Sequence, residues 1–390
     1  MISFDEAVRL VEEAARPLAP ESVPIAQAAG RVLAAPVKAM IDSPPADSSA
    51  MDGYAVRDSD LPGALRIVGE SFAGGGFEGT IGPGTCVRIF TGAPVPVGAD
   101  RVVIQERVVR DGDLAIIADH PGNARHIRPR GSDFRTGEVL LEGGRYLDPR
   151  ALVAAAGADL AEVEVWRRPE LLVLGTGDEL AAPGEARRRP GAIPESVSFG
   201  IMALAEQWGG RSLGSLRLAD DLASMEQAAG DALSTADLVV VTGGASVGEK
   251  DFAKAMFAPH GLELIFSKVA IKPGKPVWLG RAGGKLVLGL PGNPTSALVT
   301  GRLMLAPLVA GLAGRSGALL WRRVPLLEPL PACGDRETFH RARLGEHGAT
   351  PLLNQDSSAQ KALAQADVLL RSRAHDPLRT SGQEVEVLDF

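Results

Sequence analysis

Aromatic residues make up only 4% of this 390-residue chain, and it carries just two cysteines, Cys86 and Cys333. With so few rings, the core has to be filled by Val, Leu, Ala and Ile. Two cysteines far apart in sequence, neither in a CxxC pair, exclude a disulfide framework and suit a reduced, cytoplasmic compartment. Positive charge is not in excess: 41 Lys and Arg stand against 48 Asp and Glu, a net charge of -7. A general nucleic-acid binder would carry a basic surface, so that class is set aside. No apolar block of the roughly 20 residues that cross a membrane is evident, and no membrane span is expected. The opening "MISFDEAVRLVEEAARPL" has neither a basic start nor an apolar block, so it reads as an acidic amphipathic helix and not as a signal peptide.

What the chain has is turn formers, 46 Gly and 28 Pro, in a composition that is 45% hydrophobic and 23% charged. That is a folded protein with many tight turns, too long for a single core. Residues 2–17 read as a helix, with Ser3 as cap, Glu6 three residues on and Pro17 as stop. From about Asp42 to Arg135, short β runs such as "GTCVRIFTG" and "ADRVVIQERVV" alternate with Gly and Pro, marking a small β-rich domain. "ALVAAAGADLAEVEVWRRP" then gives a helix, a Gly stop and a short strand. Residues 169–318 alternate strand and helix ("ELLVLGTGDEL", "SVSFGIMALAEQWGG", "DLVVVTGG", "KPVWLGRAGGKLVLGLPGNPTSALVTGRLML"), the rhythm of a parallel sheet with helices on its faces. The tail from about Trp321 is β-like again. Ligands of an open α/β sheet bind beyond the carboxyl ends of its strands, which directs attention to the loops after Leu174, Leu218, Val241 and Leu290.

The loop in "ADLVVVTGGASVGEKDF" comes close to two motifs. Gly243 and Gly248 have P-loop spacing, but Glu249 stands where the phosphate-binding Lys belongs. Gly244-Ala245-Ser246-Val247-Gly248 is formally a nucleophile elbow, yet Gly248 and Glu249 delay the helix, Asp251 looks like its cap, and no His sits in a distinctive loop. A third reading makes Gly243 and Gly244 an anion nest of backbone N–H groups to which Ser246 adds a hydroxyl, with a plain βα turn as the bland alternative. "AIKPGKPVWLG" holds Lys272 and Lys275 in one proline-stiffened turn with Lys268 within reach, a spacing of like charges that is unfavourable unless an anion sits between them, with a solvated basic turn as the more usual fate of such a pair. "LGLPGNPTSALV" brings Pro291, Pro294 and Ser296 to a helix N-terminus, where free N–H groups attract anions. Glu179 in "LGTGDELAAPG" and Asp220 in "RLADDLAS" follow strand ends, where carboxylates either hold Mg²⁺ or cap helices. The other loops with polar content are "DSSAMDGYAVRD" with Asp52, "RIFTGAPVPVGAD" with Thr91, and the arginine-rich "NARHIRPRGSDFRTGEVLL" with Arg128 and Asp133. Anion-suited loops and Mg²⁺-suited carboxylates gathered on one sheet edge point to a phosphorylated or oxyanion substrate.

Taken together, "SSAMDGYAV", "IFTGAPVP", "GTGDEL", "TGGASVGEKD", "AIKPGKP" and "LPGNPTSA" resemble, in that order, the motifs of the molybdopterin molybdenumtransferases, the family of the bacterial MoeA proteins and the gephyrin E domain. The resemblance spans essentially the whole chain. It implies a multidomain α/β plus β fold: a discontinuous helix and strand domain (1–40 and 135–168), an inserted β-rich domain (41–134), a three-layer α/β/α molybdopterin-binding domain (169–318) and a C-terminal β domain (319–390). It also implies a cytoplasmic homodimer that inserts molybdate into adenylylated molybdopterin, releases AMP and requires Mg²⁺, with the active site shared between subunits. On matching positions, Asp52, Thr91 and Asp133 face the partner, and Glu179, Asp220 and Asp251 lie near Mg²⁺ and the pterin. Gly243, Gly244, Ser246, Lys268, Lys272, Lys275, Pro276, Pro291, Pro294 and Ser296 surround the substrate and oxyanion, joined by Arg128 and, from "ETFHRA" and "NQDSSA", by Arg341 and Ser357. Other molybdenum-cofactor biosynthesis proteins are expected partners; nucleic acid and membrane are not. One stretch departs from the family pattern: "AIPESVSFG" puts Glu195 and Val197 where an Asp and an Asn are usual. The competing readings are a molybdopterin adenylyltransferase, which the 169–318 domain alone resembles, a silent scaffold, and a Ser246 hydrolase.

Overall fold

The computed structural model describes residues 1–243 and 252–390. They form two compact units, one of Met1–Glu21, Gly30–Ala34 and Val165–Phe390, the other of Ser22–Ala29 and Ala35–Glu164.

The larger unit is built on a six-stranded sheet in the order Arg211–Leu218, Glu170–Thr176, Leu238–Thr242, Lys285–Leu290, Trp278–Ala282, Glu263–Phe266. The first four strands are parallel. All five residues of Leu238–Thr242 are buried, as expected of a central strand covered on both faces. The sheet is nevertheless mixed and not wholly parallel, because Trp278–Ala282 runs antiparallel to Lys285–Leu290. Gly283 and Gly284, both at positive φ (55° and 78°), make the two-residue turn that joins them, and so short a connection can only return antiparallel.

One face carries the helices Val197–Gln207 and Pro294–Leu312 with the N-terminal helix Phe4–Ala14; the other carries Leu222–Thr235 and Phe252–Ala255. These are three layers. The N-terminal helix is capped as its sequence predicts, the Ser3 hydroxyl accepting the Glu6 N–H at 3.2 Å, but it ends at Ala14, well short of Pro17. Pro294–Leu312 corrects the expectation that no run could cross a membrane. Its 19 residues are long and apolar enough, and 89% of that stretch is buried in this core. The same helix widens to a π turn over Gly301–Leu305. Pro307 has no N–H to give and would crowd the carbonyl four residues back, and a wider turn relieves both.

The C-terminal part of this unit forms a second sheet, in the order Ile271–Lys272, Glu337–Gly345, Val368–Ser372, Glu384–Asp389, Arg322–Pro325. Its first strand belongs in sequence to the α/β layer: Ile271 pairs with Glu337 and Lys272 with Thr338, in parallel. The lysine turn is therefore stitched to the C-terminal sheet.

The smaller unit has its own six-stranded sheet, Arg101–Ile104, Gly53–Val56, Thr85–Ile89, Gly63–Ser71, Leu114–Ile117, Val109–Asp111, with an apolar cluster on each face. Its helix Pro149–Gly157 begins where Asp148 accepts the Ala151 N–H at 2.8 Å. The helix ends at Gly157, as its position implied, and Asp159 takes left-handed φ (63°) two residues beyond.

Arg371 is a buried hub of the larger unit. It is 7% exposed, donates to Asp5 at 2.8 Å and to Glu337, and lies 5.0 Å from the Phe4 ring and 5.2 Å from Trp321. Burial raises the Glu337 carboxyl above its ordinary 4.5, with Arg371 pulling the other way. Arg371→Met should therefore strand a buried carboxylate and cost about 3–5 kcal/mol in urea unfolding, most of it recovered by adding Glu337→Gln. The sign with pH follows: with a folded-state pKa raised above the unfolded one, the single variant's deficit should shrink toward pH 4.5 and grow as pH rises.

Candidate active site

At the carboxyl ends of the parallel strands the larger unit opens into a cleft of about 950 Å³, lined by Thr176, Glu179, Asp220, Gly243, Pro291 and Pro294 among others. Its floor is bare backbone. A Cβ on Gly243 (φ 90°) would stand 2.5 Å from the Thr176 carbonyl oxygen, and one on Gly292 would stand 3.1 Å from the Gly243 Cα. The Thr176 hydroxyl donates to the Thr242 carbonyl at 3.3 Å. Glu179 is folded back so that its carboxylate lies over Gly177, where a Cβ would meet it at 2.7 Å. Asp178 accepts the Asp220 N–H at 3.0 Å, holding the loops after two neighbouring strands together. Asp221 caps the next helix by accepting the Ser224 hydroxyl and N–H, and these bonds hold its carboxyl below the usual range.

Two of the expected anion donors are already in use. The Gly243 N–H donates to the Leu290 carbonyl at 3.3 Å, so it is no part of a nest. At the helix starting at Pro294, Pro294 has no N–H and that of Thr295 donates to the Ser357 carbonyl at 3.1 Å. Gly244, Ser246 and Asp251 lie outside the described residues. Among the described residues no group of three or more His, Cys, Asp or Glu is placed to hold a metal. Glu195, expected to depart from the family pattern, is 4% exposed and accepts the Ser198 N–H at 2.9 Å, which caps the helix that Val197 begins.

The cationic residues are gathered in a second cavity of about 740 Å³, which shares Pro276 with the cleft. Six expected residues line it: Lys272, Lys275, Pro276, Ser296, Arg341 and Ser357. Gly274, at φ 100°, makes the sharp turn between the lysines, and a Cβ there would sit 2.1 Å from the Thr300 methyl. Both lysines are exposed. Arg341 is fully buried, and one terminal nitrogen, Nη2, donates to the carbonyls of Asn354 and Asp356, each at 3.2 Å. Its Nε and Nη1 have no partner among the described residues. Arg341 thus lines a cavity that also holds two lysines, and two of its buried donors are left without a partner among the described residues. Lys268 lines neither cavity.

Two residues that sequence reasoning missed close the rim. Asn293 donates to the Ser357 hydroxyl at 3.1 Å, and Gln360 donates to that of Ser196 at 3.4 Å. Their partners lie far away in sequence, so no local pattern announces them.

In the smaller unit, Asp52 and Thr91 come together: one Asp52 oxygen accepts both the Thr91 N–H and its hydroxyl, each at 2.7 Å. Those two bonds, with the Arg88 charge adding, hold the Asp52 carboxyl below its ordinary range. Arg128 pairs with Ser48 across a short antiparallel ladder, and Gly92 N–H donates to Ser49 at 2.8 Å, so three loops are laced side by side. Asp133 is held by its own N–H, donated to Ser43 at 2.9 Å, and no hydrogen bond among the described residues joins it to Asp52 or Thr91.

Gly274→Ala should destabilise the larger unit by more than ~2 kcal/mol in urea unfolding, from left-handed strain plus the Thr300 overlap. Thr91→Val removes one of two bonds that hold Asp52 ionised. The Asp52 carboxyl should then titrate higher by NMR, with the N–H bond keeping it below a free carboxylate.

Comparison with known proteins follows the same lines. Residues 2–158 match the model of the MoeA N-terminal region (domain I and II), 172–311 that of the probable molybdopterin binding domain, and 323–390 that of the MoeA C-terminal region (domain IV). A protein of Haemophilus influenzae named molybdopterin molybdenumtransferase is 39% identical over 329 residues, 83% of this chain and 80% of the relative. One of the same name from Synechococcus elongatus is 32% identical over 401 residues, 99% of each chain. The crystal structure of a molybdopterin biosynthesis MoeA protein from Pyrococcus horikoshii superposes with a TM-score of 0.85 at 29% identity, over 100% of this chain and 99% of that one. The chain belongs to the MoeA family of molybdopterin molybdenumtransferases.

Proposed function

We propose that this protein acts in molybdenum cofactor biosynthesis as a transferase that inserts molybdate into adenylylated molybdopterin and releases AMP. The observation that carries the reading is the pairing of two adjoining cavities, one walled by carboxylates and backbone, the other by cations in excess of carboxylates. The first suits the pterin and its diphosphate. The second suits a tetrahedral dianion, held by Lys272, Lys275 and the free donors of Arg341.

Mg²⁺ takes one or two carboxylates and completes its shell with phosphate oxygens and water. Glu179, folded over the only residue type that leaves it room, and Asp220 in the same cleft fit that donor set and would hold the ion; the family likeness adds Asp251. When bound, the ion supplies charge neutralisation of the diphosphate and polarisation of the bond that is cleaved. The remaining work is positioning. The Gly243–Gly292 backbone approach lets a flat ligand lie on the strand ends, and the Ser357 bonds to Asn293 and Thr295 hold the two cavities in a fixed relation. No nucleophilic side chain is needed. In this proposal the protein is a cytoplasmic homodimer, and Asp52, Thr91 and Asp133 complete the site of the other subunit.

Incubation with adenylylated molybdopterin and Mg²⁺ should release AMP in a molybdate-dependent way. Lys275→Ala should raise the molybdate concentration for half-maximal rate by roughly tenfold, the loss of one charge-assisted contact, and Asp220→Asn should lower kcat. AMP release that ignores molybdate, or adenylylated product formed from molybdopterin and MgATP, would overturn the proposal.

A further inference from the structure

The cation-lined cavity contains one group that the proposed reaction leaves unused. His340 lines it, next to Arg341 in the strand Glu337–Gly345. Lys272 is in register with Thr338, and His340, two residues further on, points to the same face of the sheet as Thr338. Across the other edge of its strand His340 is paired with Leu370, which brings no charge. The charged groups that share the cavity are Lys272 and Lys275 from the turn, Arg336 and Arg341 from its own stretch of chain, Glu328 and Asp356. Four cations against these two carboxylates, and Asp335 at 4.0 Å from Arg336, leave the space around the ring positive. No hydrogen bond among the described residues engages the imidazole, so its nitrogens are available to whatever enters.

We propose that His340 is the proton-accepting residue of this cavity: a tetrahedral dianion bound between Lys272, Lys275 and Arg341 is taken up together with a proton that resides on the His340 imidazole. This rests on the oxyanion reading of the cavity given above. In the empty cavity the ring is held neutral, because its burial and the charges of Arg341 and Lys272 push its pKa down to about 4. A dianion reverses the sign of the nearby field and favours the imidazolium, which gains a charge-assisted hydrogen bond to an anion oxygen. The step moves one proton from solvent to the ring and breaks no other bond. It matters for the chemistry, because an oxide lost from the bound anion leaves as water and needs protons close at hand.

The sign with pH follows by linkage. A group whose pKa is higher in the loaded state makes binding tighter as pH falls, between the loaded value and the empty value of about 4. If the anion restores the ring to its ordinary 6.5, affinity should rise on the order of tenfold between pH 7 and pH 5 and be flat above that range.

The test is titration calorimetry of the full chain with sulfate, which stays a dianion throughout, and with molybdate near neutrality, in buffers of different ionisation enthalpy. Wild-type protein should take up a substantial fraction of a proton per sulfate bound at pH 6. His340→Gln should bind at pH 8 with wild-type affinity, take up no proton and lose the pH dependence; proton counts on the wild type decide the matter even if the variant folds poorly. Anion binding that Lys275→Ala weakens but that takes up no proton overturns the role of His340 and leaves the cavity's function standing. Absence of anion binding that responds to Lys275→Ala overturns both.

Discussion

Positive charge held in a confined space is the constraint around which the larger unit is organised. Lys272, Lys275 and the buried Arg341 line one cavity, and three features keep them there. The parallel pairing of Ile271–Lys272 with Glu337–Thr338 fixes the lysine turn to the strand that carries Arg341. Gly274 packs so closely on Thr300 that the turn cannot unfurl without losing contact with the core helix. The Arg341 guanidinium is held by carbonyls of its own loop, which satisfy one end and leave the other open.

The carboxylate-walled cleft follows an opposite logic. There the side chains withdraw: Gly243 lets its loop approach the Thr176 carbonyl to a distance that no Cβ permits, Gly292 packs closely on Gly243, and Gly177 leaves room for the Glu179 carboxylate. The acidic groups around it differ in task. Asp221 and Glu195 are committed to helix caps, Asp178 to a neighbouring loop, and Glu179 and Asp220 line the open space. The Glu195 side chain reaches the Ser198 N–H from one position ahead of the cap, which keeps the helix anchored at the rim.

Periodicity and turn chemistry determined the elements by themselves. The apolar run of Leu238–Thr242, the Ser3 cap and the alternation of strand and helix across residues 169–318 are local patterns, and burial of their apolar faces leaves little alternative. The motif series was equally legible, and placed Lys272, Lys275, Ser296, Arg341 and Ser357 in one set before any geometry was known. Tertiary structure decided what each group is free to do. The Gly243 and Thr295 N–H groups look like anion donors in sequence, but Leu290 and Ser357, distant along the chain, take them. The run Pro294–Leu312 is apolar enough for a membrane, and only packing against the sheet makes it a core helix. His340 carries no local signal at all; its setting comes from a strand pairing between segments more than sixty residues apart. Local sequence fixes backbone preference because those energies act over a few residues, whereas the state of a charge or a donor depends on whichever groups the fold brings beside it.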